Sequence, residues 1–250
     1  MPSSLKKTIG ILGGVGPEAT AELFRRIIRM TGAQCDQDHL PVIIFNNPAI
    51  PDRTAAIIGR GASPLPALKD TARRLEKAGA DCIAIPCNTA HFFLPQIRRA
   101  VHIPVLDMID ATAACIAAVH PGVRRVGLLA TTGTVRSRLY HAALRRRRVR
   151  VIVPPASAQR DLVMAAIYGR EGIKAGARRR PAQMLRQAAE LLREADAGLL
   201  IAGCTEISMV LRGRCAGLPL VDPLTVLARE AIRQAGETSA LCGASRIVSG

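Results

Sequence analysis

Short apolar runs alternate along the chain with longer stretches whose apolar positions recur at helical spacing, the pattern of a parallel sheet joined by crossover helices. Candidate strands fall at 8–12, 41–46, 81–86 and 103–106, then at 124–130, 149–153, 197–202 and 218–221. Between them the spacing predicts helices. Ala19 to Met30 carries Leu23, Ile27 and Met30 on one face with Arg25, Arg26 and Arg29 between them, and Leu65 to Ala78 and Ala182 to Ala195 follow the same rule. The runs Val42-Ile43-Ile44-Phe45 and Leu199-Leu200-Ile201-Ala202 show no polar alternation, so their sheets are expected to be covered on both faces. The expectation is an α/β protein with two flavodoxin-like halves, each a four-stranded parallel sheet flanked by helices.

The two halves resemble each other in sequence. Asp81-Cys82-Ile83-Ala84-Ile85-Pro86-Cys87-Asn88-Thr89 aligns with Gly198-Leu199-Leu200-Ile201-Ala202-Gly203-Cys204-Thr205-Glu206 at an offset of 117 positions. Thr8-Ile9-Gly10-Ile11-Leu12-Gly13 aligns with Arg125-Val126-Gly127-Leu128-Leu129-Ala130 at the same offset, and Ile103-Pro104-Val105-Leu106-Asp107 matches Leu218-Pro219-Leu220-Val221-Asp222 at 115. A recurring offset over three segments argues for a duplicated unit. It places one thiol, Cys87 or Cys204, at the end of an apolar run in each half. Two thiols facing one carbon could take a proton from one side and return one from the other.

Composition narrows the setting. A chain of 250 residues with 49% hydrophobic content and mean hydropathy +0.19 can fill one large core or two moderate ones. No apolar stretch approaches the ~20 residues needed to span a bilayer, and the opening Met1-Pro2-Ser3-Ser4-Leu5-Lys6-Lys7 lacks a secretory pattern. Seven cysteines without a regular framework fit free thiols in a reducing compartment, so a cytoplasmic location is expected. The net charge of +16 is almost all arginine, including the runs Arg145 to Arg148 and Arg178 to Arg180. Such runs can contact phosphates. With aromatics at 2%, no tryptophan and no groove-reading motif, solvated helix faces are the preferred reading, and the positive field would also draw in a small dianion.

Gly14-Val15-Gly16-Pro17-Glu18-Ala19 fits the dinucleotide pattern G-x-G-x-x-A after the first strand. The second strand, however, ends in Asn46-Asn47-Pro48 where a ribose-binding site wants an acid, which favours a general anion-cradling turn over a nucleotide-binding oxidoreductase. Cys87 and Cys204 sit at strand-to-helix junctions, where the helix N-terminus is expected to favour the thiolate. Asn88, Thr89 and Thr205 place hydrogen-bonding groups beside them. Cys82, Cys115, Cys35, Cys215 and Cys242 read as small core residues. His91 can be drawn as the partner of Cys87 in an acyl-transfer dyad or as a metal ligand, but without a C-x-x-C pair or an evident orienting group a structural or supporting role is favoured.

The segments from Ile9 to Pro17, Pro86-Cys87-Asn88-Thr89-Ala90-His91 and Gly203-Cys204-Thr205-Glu206 together resemble the aspartate/glutamate racemase family, with aspartate racemases nearest. Ile50-Pro51-Asp52-Arg53-Thr54, Ala130-Thr131-Thr132-Gly133-Thr134 and Gly172-Ile173-Lys174-Ala175-Gly176 extend the likeness over almost the whole chain. The resemblance implies cofactor-independent racemisation of aspartate, with glutamate as a second candidate, by Cys87 and Cys204 in an active site between two domains, residues 1–106 with 224–250 and residues 107–223. It further implies a homodimer without metal. Arg53 and Lys174 would bind the substrate's side-chain carboxylate, and Asn88, Thr89, Thr132 and Thr205 its α-carboxylate. A related isomerase or decarboxylase of a dicarboxylic acid is the nearest alternative. Val15, where the family often has methionine, and Phe93 bear on pocket shape.

Overall fold

Residues of two neighbouring strands point alternately to opposite sides, and that alternation organises the first half of the protein. In the computed structural model, which describes residues 6–236, β1 (Ile9–Gly13) pairs in parallel with β2 (Val42–Asn46) on one side and β3 (Cys82–Ala84) on the other. Ile9, Ile11, Cys82 and Ala84 face one core with Leu23 and Ile27 of the helix Pro17–Met30 and with Leu224, Leu227, Ala231 and Ile232 of the helix Pro223–Gln234. Leu12, Ile83 and Ile85 face the other, against Leu68, Ala72 and Leu75 of the helix Leu65–Lys77. β1 and β3 are buried on both faces and have no place for polar residues. β2, at the sheet edge, is only half-buried with Ile44 exposed, so the run Val42-Ile43-Ile44-Phe45 is not covered on both faces as its pattern predicts.

The remaining residues contribute β4 (Arg125–Leu129), β5 (Arg150–Ile152), β6 (Leu199–Ala202), β7 (Arg214–Cys215) and β8 (Leu218–Val221), in spatial order β5-β4-β6-β8-β7. Their core joins Leu129, Leu200 and Ala202 to Leu185, Ala188, Ala189 and Leu192 of the helix Arg179–Glu194. By contact density the chain divides into two compact units, one running to Met108 and resuming at Leu224, the other spanning Ile109–Pro223. The α/β class with parallel sheets flanked by helices is as expected from the pattern. The strand counts are not.

In the first unit the segment 103–106 makes only a single bridge, Val105 to Ile83, because Pro104 has no N–H to extend the ladder. The second unit has five strands, β7 being an antiparallel addition. Its hairpin pairs Cys215 with Leu218 across Ala216-Gly217, both at positive φ (52° and 75°), the backbone of a tight two-residue turn. Alanine at the first turn position hides that signal. Cys35 is exposed in the polar loop before Asp36–Asp38, and Cys115 is half-buried, so neither is a core residue; Cys82 and Cys215 are, and Cys242 and the tail beyond Gly236 lie outside the described residues. Among the described residues no helix is long and apolar enough to cross a membrane.

The 117-residue offset reappears in the hydrogen-bonded register. Ile9 stands opposite Cys82, Gly10 opposite Ile83 and Ile11 opposite Ala84, while Val126 stands opposite Leu199, Gly127 opposite Leu200 and Leu128 opposite Ile201. Each pair maps onto its counterpart without slippage. The helix contact is repeated too: a Cβ on Gly10 would meet the Cβ of Leu75 at 3.5 Å and that of Ala80 at 2.8 Å, and one on Gly127 would meet Leu192 Cβ at 3.0 Å and Leu200 Cδ2 at 2.7 Å. Glycine in these strands is what lets the covering helix lie close to the sheet.

Overpacking at that contact should be measurable. Gly127→Ala is expected to destabilise the protein by about 1–3 kcal/mol in chemical denaturation. Gly122→Ala, where a Cβ meets nothing within 4 Å, should change stability by no more than about 0.5 kcal/mol.

Candidate active site

Each thiol leaves its sheet just beyond the matched strand. After β3 the chain runs through Ile85 and Pro86 to Cys87, then turns through the 3₁₀ segment Thr89–Phe93. After β6 it passes Gly203 to Cys204 and turns through the 3₁₀ segment Ile207–Met209. A Cβ at Gly203 would lie 2.9 Å from that of Ala130, so glycine is needed where this loop crosses the end of β4. Both cysteines are 7% exposed, and Asn88, Thr89, Thr205 and Glu206 are buried beside them. The α-helix expected directly after each thiol is instead a short 3₁₀ turn, followed in the first unit by the five-residue helix Leu94–Arg98. A 3₁₀ turn of three to five residues has too few aligned peptides to build a macrodipole comparable to an α-helix.

Cys204 departs furthest from expectation. Its thiol donates to Glu206 Oε2 at 2.9 Å, and the same oxygen accepts from Thr205 Oγ at 3.1 Å. The other oxygen, Oε1, is held by Lys174 Nζ at 2.5 Å. Burial, and then the neighbouring carboxylate, push the Cys204 thiol well above the usual cysteine range. Burial alone would raise Glu206 as well, but Lys174 and the Cys204 and Lys174 hydrogen bonds outweigh it and keep the carboxyl below the ordinary value. Cys204 is therefore a protonated thiol beside an ionised carboxylate, the reverse of the thiolate expected from its position. Glu206 closes the Gly-Cys-Thr-Glu motif, and residue type and spacing alone assign it no role there. A carboxylate two residues beyond a buried cysteine was the available signal.

His91 is a strut. Its Nδ1–H donates to the Cys87 carbonyl at 2.8 Å while Nε2 accepts from the Met108 amide at 3.1 Å, so both ring nitrogens are engaged and the neutral tautomer is set. Neither nitrogen is directed to the Cys87 sulfur. Burial holds the imidazole below its ordinary pKa despite the opposing field of Asp107. The second unit is built alike. Ser208, 117 positions after His91, donates to Asp222 Oδ1 at 2.7 Å, and Asp222 is the counterpart of Asp107. In each unit the residue four beyond the thiol anchors the loop to the segment after the following strand.

The other expected site residues fall into two groups. In the first unit, Arg53 begins the helix Arg53–Ile57, which Asp52 caps by accepting from the Ala55 amide at 2.6 Å. Its buried guanidinium donates to the carbonyls of Val15 at 3.0 Å and of Ile50 and Pro51 at 3.2 Å each, tying the Gly14-Val15-Gly16 turn to this helix. The Gly14 amide donates to Thr20 Oγ1 at 3.1 Å. In the second unit, Lys174 lies 5.4 Å from the Tyr168 ring centroid as well as on Glu206. Thr132 opens the short helix Thr132–Ser137, capped by Thr131, and its amide donates to Met164 Sδ at 3.2 Å. Met164 ends a π-helical turn, Gln159–Met164, whose Gln159 amide holds the Ala130 carbonyl at 2.9 Å. The structure thus brings Lys174, Cys204, Thr205 and Glu206 together, and sets Asn88 and Thr89 beside Cys87. Among the described residues no group of three or more His, Cys, Asp or Glu is placed to hold a metal ion.

Residues 12–231 match the sequence profile of the Asp/Glu/Hydantoin racemase family. A broad-specificity amino-acid racemase of Bacillus subtilis is 30% identical over 232 residues, covering 90% of this chain and 96% of its own. The aspartate racemase of Picrophilus torridus superposes with a TM-score of 0.76 at 28% identity, over 92% of this chain and 94% of that one. An aspartate racemase homologue from Pyrococcus horikoshii gives 0.72 at 26% identity over 93% and 100%.

The neutral His91 has a consequence for acid stability. Its folded pKa is depressed below the unfolded value of about 6.5, so the unfolded chain binds the extra proton and stability falls as pH drops below that value. Between pH 6.5 and pH 5, His91→Gln should flatten the stability slope by up to about 1.4 kcal/mol per pH unit relative to the parent, as read by denaturation at each pH.

Proposed function

The chain belongs to the Asp/Glu/Hydantoin racemase family, and from that premise we propose that it interconverts the enantiomers of aspartate by two-thiol proton transfer, with other amino acids as secondary substrates. The observation that carries the reading is the paired placement of Cys87 and Cys204, buried and leaving register-matched strands at the same offset. One sulfur, as thiolate, removes the α-proton; the other, as thiol, protonates the opposite face; the reverse reaction exchanges the roles. No cofactor is called for. The α-carbanion is an enolate-like dianion, and the amide and hydroxyl groups of Asn88, Thr89, Thr132 and Thr205 are the proposed donors to its carboxylate oxygens.

Arg53 and Lys174 are the proposed partners of the substrate's side-chain carboxylate. Each also has work inside the protein, Arg53 on three carbonyls and Lys174 on Glu206. A cation already neutralised by Glu206 draws an incoming carboxylate less strongly than an unpaired one, which favours a substrate range wider than aspartate alone. The broad specificity named for the Bacillus subtilis relative is in keeping with that.

The thiols are tested first. Cys87→Ser and Cys204→Ser should each abolish racemisation of L-aspartate followed by chirality and α-deuterium uptake in heavy water, because a hydroxyl is far too weak an acid to serve as the base at neutral pH. Cys82→Ala should retain activity. Racemisation that persists in either serine variant refutes the two-thiol mechanism.

Substrate recognition is tested separately. Arg53→Ala and Lys174→Ala should lower kcat/KM for aspartate by at least ~100-fold, roughly 3 kcal/mol of transition-state stabilisation, and that for alanine much less. Equal losses on both substrates would return these residues to a purely structural role.

A further inference from the structure

Two-thiol chemistry requires Cys204 to act as a base in one direction, and its surroundings oppose that. A sulfur anion at this position would lie 2.9 Å from Glu206 Oε2, both groups being buried. Two anions this close do not both ionise; the proton that leaves one is retained by the other. Lys174 faces the same carboxylate at 2.5 Å and compensates one negative charge, not two. Thr205 adds a hydroxyl donor at 3.1 Å and Tyr168 an aromatic face behind Lys174 at 5.4 Å.

We propose, on the footing of the racemase reading above, that Glu206 is a catalytic residue that stores the Cys204 proton: Glu206 Oε2 accepts it when the sulfur becomes a base and holds Cys204 as the thiol at rest. In the base direction the S–H bond breaks and an O–H bond forms on Oε2, leaving the local charge unchanged at one negative. The Cys204 thiolate then takes the substrate α-proton, a C–H bond breaking and an S–H bond forming while the electron pair stays on the α-carbon. The pair holds one proton before abstraction and two after it. Donation by Cys204 is the same sequence reversed. Lys174 fixes Oε1, so Oε2 remains directed at the sulfur.

The test reads the thiol directly. Alkylation of Cys204 by iodoacetamide is followed by peptide-resolved mass spectrometry from about pH 6 to pH 10, with the exposed Cys35 as internal reference. In the parent the Cys204 midpoint should lie above the ordinary cysteine range. In Glu206→Gln, which keeps the shape and removes the charge, it should fall by about 1–3 pH units, and aspartate racemisation should drop at least ~100-fold while the melting temperature stays close to the parent's. Glu206→Asp should keep the raised midpoint and part of the activity, and it carries the test if the glutamine variant does not fold. An unchanged or raised midpoint in Glu206→Gln, or full racemisation by it, overturns the proposal. A parent that racemises no amino acid overturns the proposed function and the base step with it, whereas the alkylation midpoints would still fall as stated if the thiol and carboxylate share a proton.

Discussion

The parallel register between β1 and β3, repeated residue for residue between β4 and β6, decides where each thiol leaves its sheet. A slip of one residue would turn Ile83 and Ile85 out of one core and Cys82 and Ala84 out of the other, so the hydrophobic effect on both faces holds the register firmly. Glycine at Gly10 and Gly127 is part of the same constraint, since the covering helices pack where a side chain would otherwise stand. Once the strands are locked, Cys87 and Cys204 emerge at set points, and the loops after them need only anchoring. His91 and Ser208 supply it with different chemistry at equivalent positions.

Equivalent positions do not make the thiol environments alike. In the second unit, desolvation and an ionised Glu206 hold the sulfur in its protonated form. The carboxylate can stay ionised in a buried place because Lys174 neutralises it and three donors share its two oxygens. In the first unit the residue two beyond the cysteine is Thr89, which carries no charge, and the histidine beyond it is neutral and committed to backbone groups. The duplication therefore supplies two thiols on one backbone plan, and Cys204 is joined to a carboxylate two residues on where the first unit has Thr89. A racemase handling mirror-image substrates does not need mirror-image electrostatics, only two groups able to exchange a proton with the α-carbon.

Much of the architecture was legible in the pattern of apolar positions. Near-continuous runs announced parallel strands, though not that the edge strand β2 leaves Ile44 exposed, helical spacing located the covering helices, and the 117-residue offset announced both the duplication and its thiols. What escaped was governed by single bonds rather than by periodicity. Pro104 reduces a predicted strand to one bridge because it lacks an N–H, and an Ala-Gly turn at positive φ adds β7 without the usual turn signature. Residue type alone assigns Cys35 and Cys115 to the core, and type does not say which way a side chain points.

By itself the sequence determined the fold class, the repeat and the two cysteines, because these rest on burial, which is written into periodicity, and on a motif repeated at a constant offset. Only the tertiary structure decided which charges meet. Lys174 and Glu206 are 32 positions apart, and no local rule pairs them. Arg53 reaches back 38 positions to the Val15 carbonyl. The protonation state of Cys204 follows from such encounters, since electrostatic effects on a buried group depend on distances of a few ångströms that the chain sets only when it folds.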